Sequence, residues 1–200
     1  METRYHGMIK KIKDYAKINK VPIMQDEGID YLTTFITKNN IDTVLEVGTA
    51  IGYSSIMMAL FRPSLKVVTI ERDKDRYMEA VKNIKDFGLE DRITPLFNDA
   101  LEIKLDKKFD LIFLDGAKGQ NIRFFEHFED NLEKGGYFVT DNMDFHGYVN
   151  KSDDEIKSKN LRALVKKIRE YRDYLKNNSK YETEFLKIGD GVAVTHKIEK

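Results

Sequence analysis

Thr43-Val-Leu-Glu46-Val-Gly48-Thr-Ala-Ile-Gly52-Tyr-Ser54 is the stretch that decides the fold. Its apolar first half reads as a buried strand, its glycines as a turn, and Ser54 as the opening of the apolar helix SSIMMALFR (54–62). Outward from it, the same alternation recurs. KVVTIE (66–71) precedes the amphipathic DRYMEAVKNIKDFG (75–88), and ITPLFND (93–99) precedes a shorter connector. DLIFLD (110–115) leads through a loop to IRFFEHFEDNLEKGG (122–136), and GGYFVTDN (135–142) follows. Strand signals alternating with helical ones predict βαβ units and a parallel sheet. Each of the five apolar runs ends on a carboxylate or on a carboxylate beside an amide. In an open parallel sheet the C-terminal strand ends lie along one edge, where ligands bind. Glu46, Glu71, Asp99, Asp115, Asp141 and Asn142 are therefore expected to line one site.

Residues 4–20 and 26–38 read as two helices, separated by VPIMQ, where Pro22 breaks the helical run. Phe124, Phe125, Phe128 and Leu132 recur at helical spacing, and Gly135-Gly136 is expected to stop that helix. SKNLRALVKKIREYRDYLKNN (158–178) reads as one long amphipathic helix. In the tail, two apolar runs flank Gly189-Asp190-Gly191, which is hairpin chemistry. The expected architecture is α/β: a Rossmann-like, doubly wound sheet, mostly parallel, with a C-terminal antiparallel hairpin. With no repeat, low-complexity stretch or linker, residues 1–200 read as a single domain, the N-terminal helices of about residues 1–40 packed on it.

The 200 residues are 41% hydrophobic and 11% aromatic, enough to fill one core. Lys plus Arg and Asp plus Glu each number 34, so no net charge advertises nucleic acid or an acidic membrane. A nucleic-acid partner would have to be met by a local patch. The absence of cysteine excludes disulfides, thiolate metal sites and a cysteine nucleophile. METRYHGMIKKIKDYAK (1–17) lacks the apolar centre of a signal peptide, and no apolar run approaches membrane-spanning length. A soluble cytoplasmic protein is expected, with no membrane partner.

The glycine loop narrows the chemistry. Glycines between a strand and a helix let the backbone approach a ligand closely. The spacing is E-x-G-x-x-x-G rather than G-x-G-x-x-G, and an acid before the first glycine opposes a pyrophosphate but welcomes an ammonium. This spacing disfavours an NAD-dependent oxidoreductase. Glu71 closes the next strand, where an acid accepts hydrogen bonds from ribose hydroxyls. Together they suggest a nucleoside carrying a positive amine. Asp99-Ala100, closing the third strand, fits an adenine amino group or a cap on the next segment.

On these residues the chain resembles the class I S-adenosylmethionine-dependent O-methyltransferases, in the cation-dependent group that includes catechol and caffeoyl-CoA methyltransferases. The likeness runs from VPIM to the C-terminal hairpin. It implies that Gly48 and Ser54 hold the methionine end of the cofactor, with Glu46 close to its amine. Glu71 would take the ribose, Asp99 and the Ala100 amide the adenine, and Met24 would also touch the cofactor. Asp115 would stand where cofactor and acceptor meet.

Asp115-Gly-Ala-Lys118 follows the fourth strand and Asp141-Asn142 the fifth. Two carboxylates and an amide oxygen are hard ligands suited to Mg2+, Mn2+ or Ca2+ rather than zinc. Asp141-Asn142 alone would read as a turn or a helix cap; the resemblance makes Asp115, Asp141 and Asn142 the metal ligands. An acceptor hydroxyl held by such a cation favours its deprotonated form. The resemblance makes Lys118, three residues beyond Asp115, the base, once a neighbouring cation has favoured loss of its own proton.

Small-molecule members place aromatic or bulky side chains around this segment. Here it carries Gly116, Ala117, Gly119, Gln120 and Asn121, and the chain has no tryptophan. The acceptor mouth is expected to admit something larger. PIMQ, GTAIGYS, LDGAKGQ and DN-x-x-F-x-G are most similar to the bacterial tRNA 5-hydroxyuridine methyltransferases. That resemblance implies a tRNA anticodon loop as partner and conversion of wobble 5-hydroxyuridine to 5-methoxyuridine. The alternative acceptor is a small catechol-like or phenylpropanoid molecule, and a nucleotide- or RNA-binding module without catalysis is the non-enzymatic reading. Arg4, Lys10, Lys11, Lys13, Lys17 and Lys20 make the first helix basic, with Lys118, Arg123 and His146 assigned nearer the mouth. A homodimer is expected, since relatives commonly pair and the N-terminal helices and the FHGYV loop offer apolar surface.

Overall fold

Why the apolar runs become strands is visible in their partners: each lies along a neighbouring strand, and all but residues 93–97 are largely buried there. The computed structural model describes residues 3–198. Met1, Glu2, Glu199 and Lys200 lie outside the described residues, as do the side chains of Thr3 and Arg4. The described strands form a seven-stranded sheet in the order β3-β2-β1-β4-β5-β7-β6. The pairs β1–β2, β2–β3 and β4–β5 are parallel, while β7 runs antiparallel to both β5 and β6. This is the expected α/β architecture, mostly parallel with a C-terminal antiparallel hairpin. The chain divides into two compact units, Met1–Lys104 and Leu105–Lys200.

The first unit contains α1 (Thr3–Asn19), α2 (Asp26–Lys38), β1 (Thr43–Val47), α3 (Tyr53–Phe61), β2 (Lys66–Glu71), α4 (Lys74–Asp86) and β3 (Ile93–Phe97). Helix α1 buries Ile9, Ile12 and Ala16, one face at helical spacing, and leaves Lys10, Lys11 and Lys17 exposed, as is Lys20 just beyond its end. Lys13 is committed to Asp26 at the start of α2. Helix α3 is buried from Tyr53 through Ala59, which is why its sequence is apolar on every side. Helix α4 starts at Asp73, whose side chain accepts the Arg76 N–H at 3.0 Å as an N-cap.

The second unit contains β4 (Phe109–Leu114), α5 (Asn121–Phe128), β5 (Leu132–Asp141), α6 (Lys159–Asn177), β6 (Tyr181–Leu186) and β7 (Val192–Lys197). Helix α5 corrects the sequence reading. It ends at Phe128 instead of reaching Gly135-Gly136, and Leu132 already belongs to β5, opposite Phe109. The glycines lie inside the strand, where the register with β4 shifts. Gly135 has φ +67°, and a Cβ on Gly136 would sit 3.0 Å from the Asp110 and Glu133 carbonyl oxygens. Leu132 matched the helical period only because a residue buried in the strand fell at that interval.

Phe125 organises the core of this unit. Its ring stacks on Phe138 with centroids 4.1 Å apart and meets Tyr174 and Tyr181 edge-on at 5.6 and 5.1 Å. The contacts tie α5 to β5, α6 and β6, leaving the end of β5 on a rigid support. Thr140, one residue before Asp141, shares a hydrogen bond of 3.0 Å with the Tyr171 hydroxyl.

Candidate functional site

In the first unit, the turn after β1 is held open by its backbone and braced from three sides. Gly48 and Gly52 have φ of +105° and +82°, and Ala50 is also left-handed at +46°. A non-glycine residue in that region costs on the order of 1 kcal/mol and persists only where its surroundings fix it. Here the Ala50 N–H donates to Glu71 Oε2 at 2.8 Å, and the Asn83 side chain donates to the Ile51 carbonyl at 2.9 Å. Thr49 and Thr69 share a hydroxyl–hydroxyl bond of 2.6 Å.

Glu46 is fully buried beneath this turn. Its carboxylate accepts from the hydroxyls of Ser54, Ser55 and Thr69. Ser54 and Ser55 lie in the first turn of α3, where a carboxylate also meets the positive end of the helix. The acid and Ser54, both assigned from the sequence to the methionine end of a cofactor, are in direct contact with each other. Ser55 and Thr69 went unread, although the Glu46↔Thr69 register makes the latter a necessary neighbour.

Glu71 ends β2 with both oxygens occupied. Oε1 accepts the main-chain N–H groups of Arg72 and Asp73 at 2.9 Å each, and Oε2 accepts that of Ala50. Of the roughly four acceptor sites of a carboxylate, these three amides leave one, on Oε2, open to an incoming hydroxyl. Asp99 lies just past β3, accepts the Leu101 N–H at 2.9 Å, and pairs with Arg72 at 3.4 Å. Arg72, missed by sequence reasoning, thus follows Glu71 in the chain and reaches Asp99. Ala100 is buried beside it. Met24 is buried too, its side chain folded back on Gly28, where an added Cβ would stand 2.9 Å from Met24 Cε.

The second unit brings the remaining predicted residues together. Lys118 Nζ donates to Asp115 Oδ1 at 2.7 Å, and both side chains are only 17% exposed. Lys118 opens a 3-10 turn, Lys118–Gln120. Asp141, 3% exposed at the end of β5, accepts a hydrogen bond from the Asn142 side-chain amide. Asn142 has φ +62°, a conformation asparagine tolerates better than most residues. Burial, then the charge of Asp115, push the Asp141 carboxyl up to about 7, against the opposing effect of Lys118. Among the described residues there is no group of three or more His, Cys, Asp or Glu placed to hold a metal. Asp115 lies close enough to act on the charge of Asp141, and Asn142 is hydrogen-bonded to Asp141. Of the basic residues assigned to the mouth, Lys118 is engaged with Asp115, while Arg123 and His146 are exposed.

Asp190 was read only as part of a hairpin turn. It is buried, accepts the main-chain N–H of His146, and adds negative charge near Asp141. An acid between two glycines was the available signal, but its partner is 44 residues away in the chain.

The sequence matches the O-methyltransferase family over residues 3–198. A caffeoyl-CoA O-methyltransferase of Populus kitakamiensis is 27% identical over 206 residues, covering 96% of this chain and 87% of that protein. A flavonoid 3',5'-methyltransferase of Vitis vinifera is 26% identical, covering 98% and 88%. Among solved structures, a candidate caffeoyl-CoA O-methyltransferase from Staphylococcus aureus aligns with a TM-score of 0.90 at 36% identity, over 95% of this chain and 92% of that one. An O-methyltransferase from Bacillus cereus, solved in complex with SAH, shares the fold with a TM-score of 0.80 at 23% identity, over 96% and 91%.

Proposed function

The chain belongs to the O-methyltransferase family, and from that premise we propose that it transfers the methyl group of S-adenosylmethionine to an acceptor hydroxyl with the help of a divalent cation. The observation that carries this reading is the cluster of Asp115, Lys118 and Asp141. Two carboxylates that repel one another beside an amide form a donor set short of positive charge. Such a set fits Mg2+ or Mn2+, with Asp115, Asp141 and Asn142 as the ligands. The Asn142 amide nitrogen is given to Asp141, which leaves its oxygen for a cation. When bound, the cation would polarise the acceptor hydroxyl and favour its deprotonated form.

Lys118 is the general base of this proposal. As a neutral amine it accepts the hydroxyl proton, and Asp115 at 2.7 Å stabilises the resulting ammonium. The acceptor oxygen then bonds to the methyl carbon, the carbon–sulfur bond breaks, and S-adenosylhomocysteine leaves. In the first unit, Glu71, ordered by three amides, takes the ribose hydroxyls; Asp99 and Ala100 take the adenine, and Met24 lies against the cofactor. The turn from Gly48 to Ser54 takes the methionine end, with Glu46 below it fixing the Ser54 hydroxyl. Holding the reacting groups in line supplies up to about 7–11 kcal/mol relative to free encounter.

For the acceptor we propose the 5-hydroxyl of wobble uridine in a tRNA anticodon loop, where the adjacent carbonyl offers a second oxygen. Support comes from the motif resemblance and from the small residues Gly116, Ala117 and Gly119 around Lys118. The plant relatives favour a second reading, a catechol-like or phenylpropanoid acceptor. A homodimer in the cytoplasm, each chain a single methyltransferase domain, belongs to the same proposal. The nucleoside profile of tRNA from cells lacking the protein tests the acceptor. Loss of 5-methoxyuridine with accumulation of 5-hydroxyuridine is expected. An unchanged profile, with purified protein methylating catechols, would establish the second reading instead.

A further inference from the structure

Gly189-Asp190-Gly191 does something that turning a hairpin does not require. Asp190 is 7% exposed; its Oδ1 accepts the main-chain N–H of His146 and lies 3.5 Å from Nδ1 of that exposed ring. Its Oδ2 is buried with no hydrogen-bond partner among the described residues. Main-chain bonds stitch the same two segments together, from Met143 N to the Gly191 carbonyl at 2.9 Å and from Asp144 N to the Asp190 carbonyl at 2.8 Å. The fit is tight enough that a Cβ on Gly191 would stand 2.6 Å from Asp144 N.

The clamped backbone is an unfavourable one. Asn142, Phe145, His146 and Gly147 all have positive φ, at 62°, 44°, 55° and 77°. Non-glycine residues hold such angles only when neighbouring structure over-determines them. Burying a carboxylate with one oxygen unused is unfavourable as well. Leaving the part-buried His146 N–H without an acceptor, however, would carry a cost of its own. The burial is explained if holding the His146 amide is the purpose of the residue.

We propose that Asp190 is a positioning residue for acceptor methylation: from the C-terminal hairpin it clamps the segment from Asn142 to Gly147, fixing the Asn142 amide beside Asp141 and presenting the His146 ring outward. The inference rests on the reading that Asp141 and Asn142 serve the acceptor, and Asp190 itself touches no reacting atom.

Amide hydrogen exchange of the full-length protein, resolved by residue with NMR, tests the clamp first. The His146 amide is expected to exchange as slowly as the amides of β5, and exchange at the rate of an exposed loop would overturn the proposal. In Asp190→Ala, the protection of His146 is expected to fall at least 100-fold. The apparent KM for hydroxyuridine-containing tRNA should rise at least tenfold, with kcat and the affinity for S-adenosylhomocysteine within about threefold of wild type. Asp190→Asn keeps an acceptor oxygen on the His146 N–H and should restore both KM and protection. Gly191→Ala wedges the segments apart with Asp190 intact and should reproduce the alanine phenotype. Wild-type KM and protection in Asp190→Ala, or an asparagine variant as impaired as the alanine one, would refute the role. Failure of the methyltransferase reading would look different: no form would transfer a methyl group, while the exchange rates would still decide the clamp.

Discussion

Asp141 shows how much a single side chain in this protein depends on its surroundings. Its carboxyl stays protonated in the fold up to about pH 7, whereas in an unfolded chain it ionises near pH 4. Between those values the fold binds the extra proton, so this group's contribution to stability is lost as pH rises from about 4 to about 7. Thermal melts of the protein in chelator are expected to show that decline, and added Mn2+ should reverse it most strongly above pH 7. A melting temperature independent of pH across that window would contradict the assignment. Lys118→Met should lower kcat at least 100-fold, within the range for a lost general base, with calorimetric affinity for S-adenosylhomocysteine unchanged. Glu46→Gln is a different kind of change. It turns an amide donor toward one of three hydroxyl donors and should lower stability by about 1–3 kcal/mol in urea denaturation. The structure pairs Lys118 with Asp115 and Asn142 with Asp141, four residues that were singled out through the family resemblance, since Asp141-Asn142 by itself reads as a turn or a cap. Ser55, Thr69, Arg72 and Asp190 were not legible, because each acts across the sheet or between distant segments, and nothing local distinguishes them from ordinary polar residues.

The elements that were read correctly show either one buried stripe or an apolar run bounded by turn chemistry, as α3 does after Gly52. Helix α1 shows one apolar stripe, α6 another, and the β-strand runs end where turn chemistry begins. The misreading at α5 came from two signals coinciding. Phe124, Phe125 and Phe128 are truly helical, while Leu132 continues the interval but is buried in β5. Gly135-Gly136 resembles a helix stop, yet its work is to let the strand bulge against β4. Gly136→Ala would press a Cβ against two carbonyl oxygens at 3.0 Å, and a loss of about 1–3 kcal/mol is expected. Phe125→Ala should cost about 3–5 kcal/mol, because one ring contacts α6, β5 and β6 at once. Denaturant titration measures both. A cost under about 0.5 kcal/mol at Phe125, the level of ordinary surface positions, would show that the aromatic cluster is not what supports the end of β5.

For the whole molecule, the alternation of strand and helix signals predicted the mostly parallel sheet with its antiparallel end, because connection rules leave few other solutions. Strand order was not legible, since no local pattern says which strand neighbours which. No described helix is long and apolar enough to cross a membrane. Family membership supplies O-methyl transfer, while the proposed cation rests on the chemistry of Asp115, Asp141 and Asn142 and the proposed acceptor on the motif resemblance and the small residues around Lys118. The measurement that bears on this most directly is methyl transfer from labelled S-adenosylmethionine to hydroxyuridine-containing tRNA and to catechols, with Mg2+ or with chelator, for wild type and Asp141→Ala. The account predicts label in an acceptor hydroxyl, predominantly of tRNA, falling at least 100-fold in chelator and in the variant. Equal transfer in Mg2+ and in chelator, undiminished by Asp141→Ala, would contradict it.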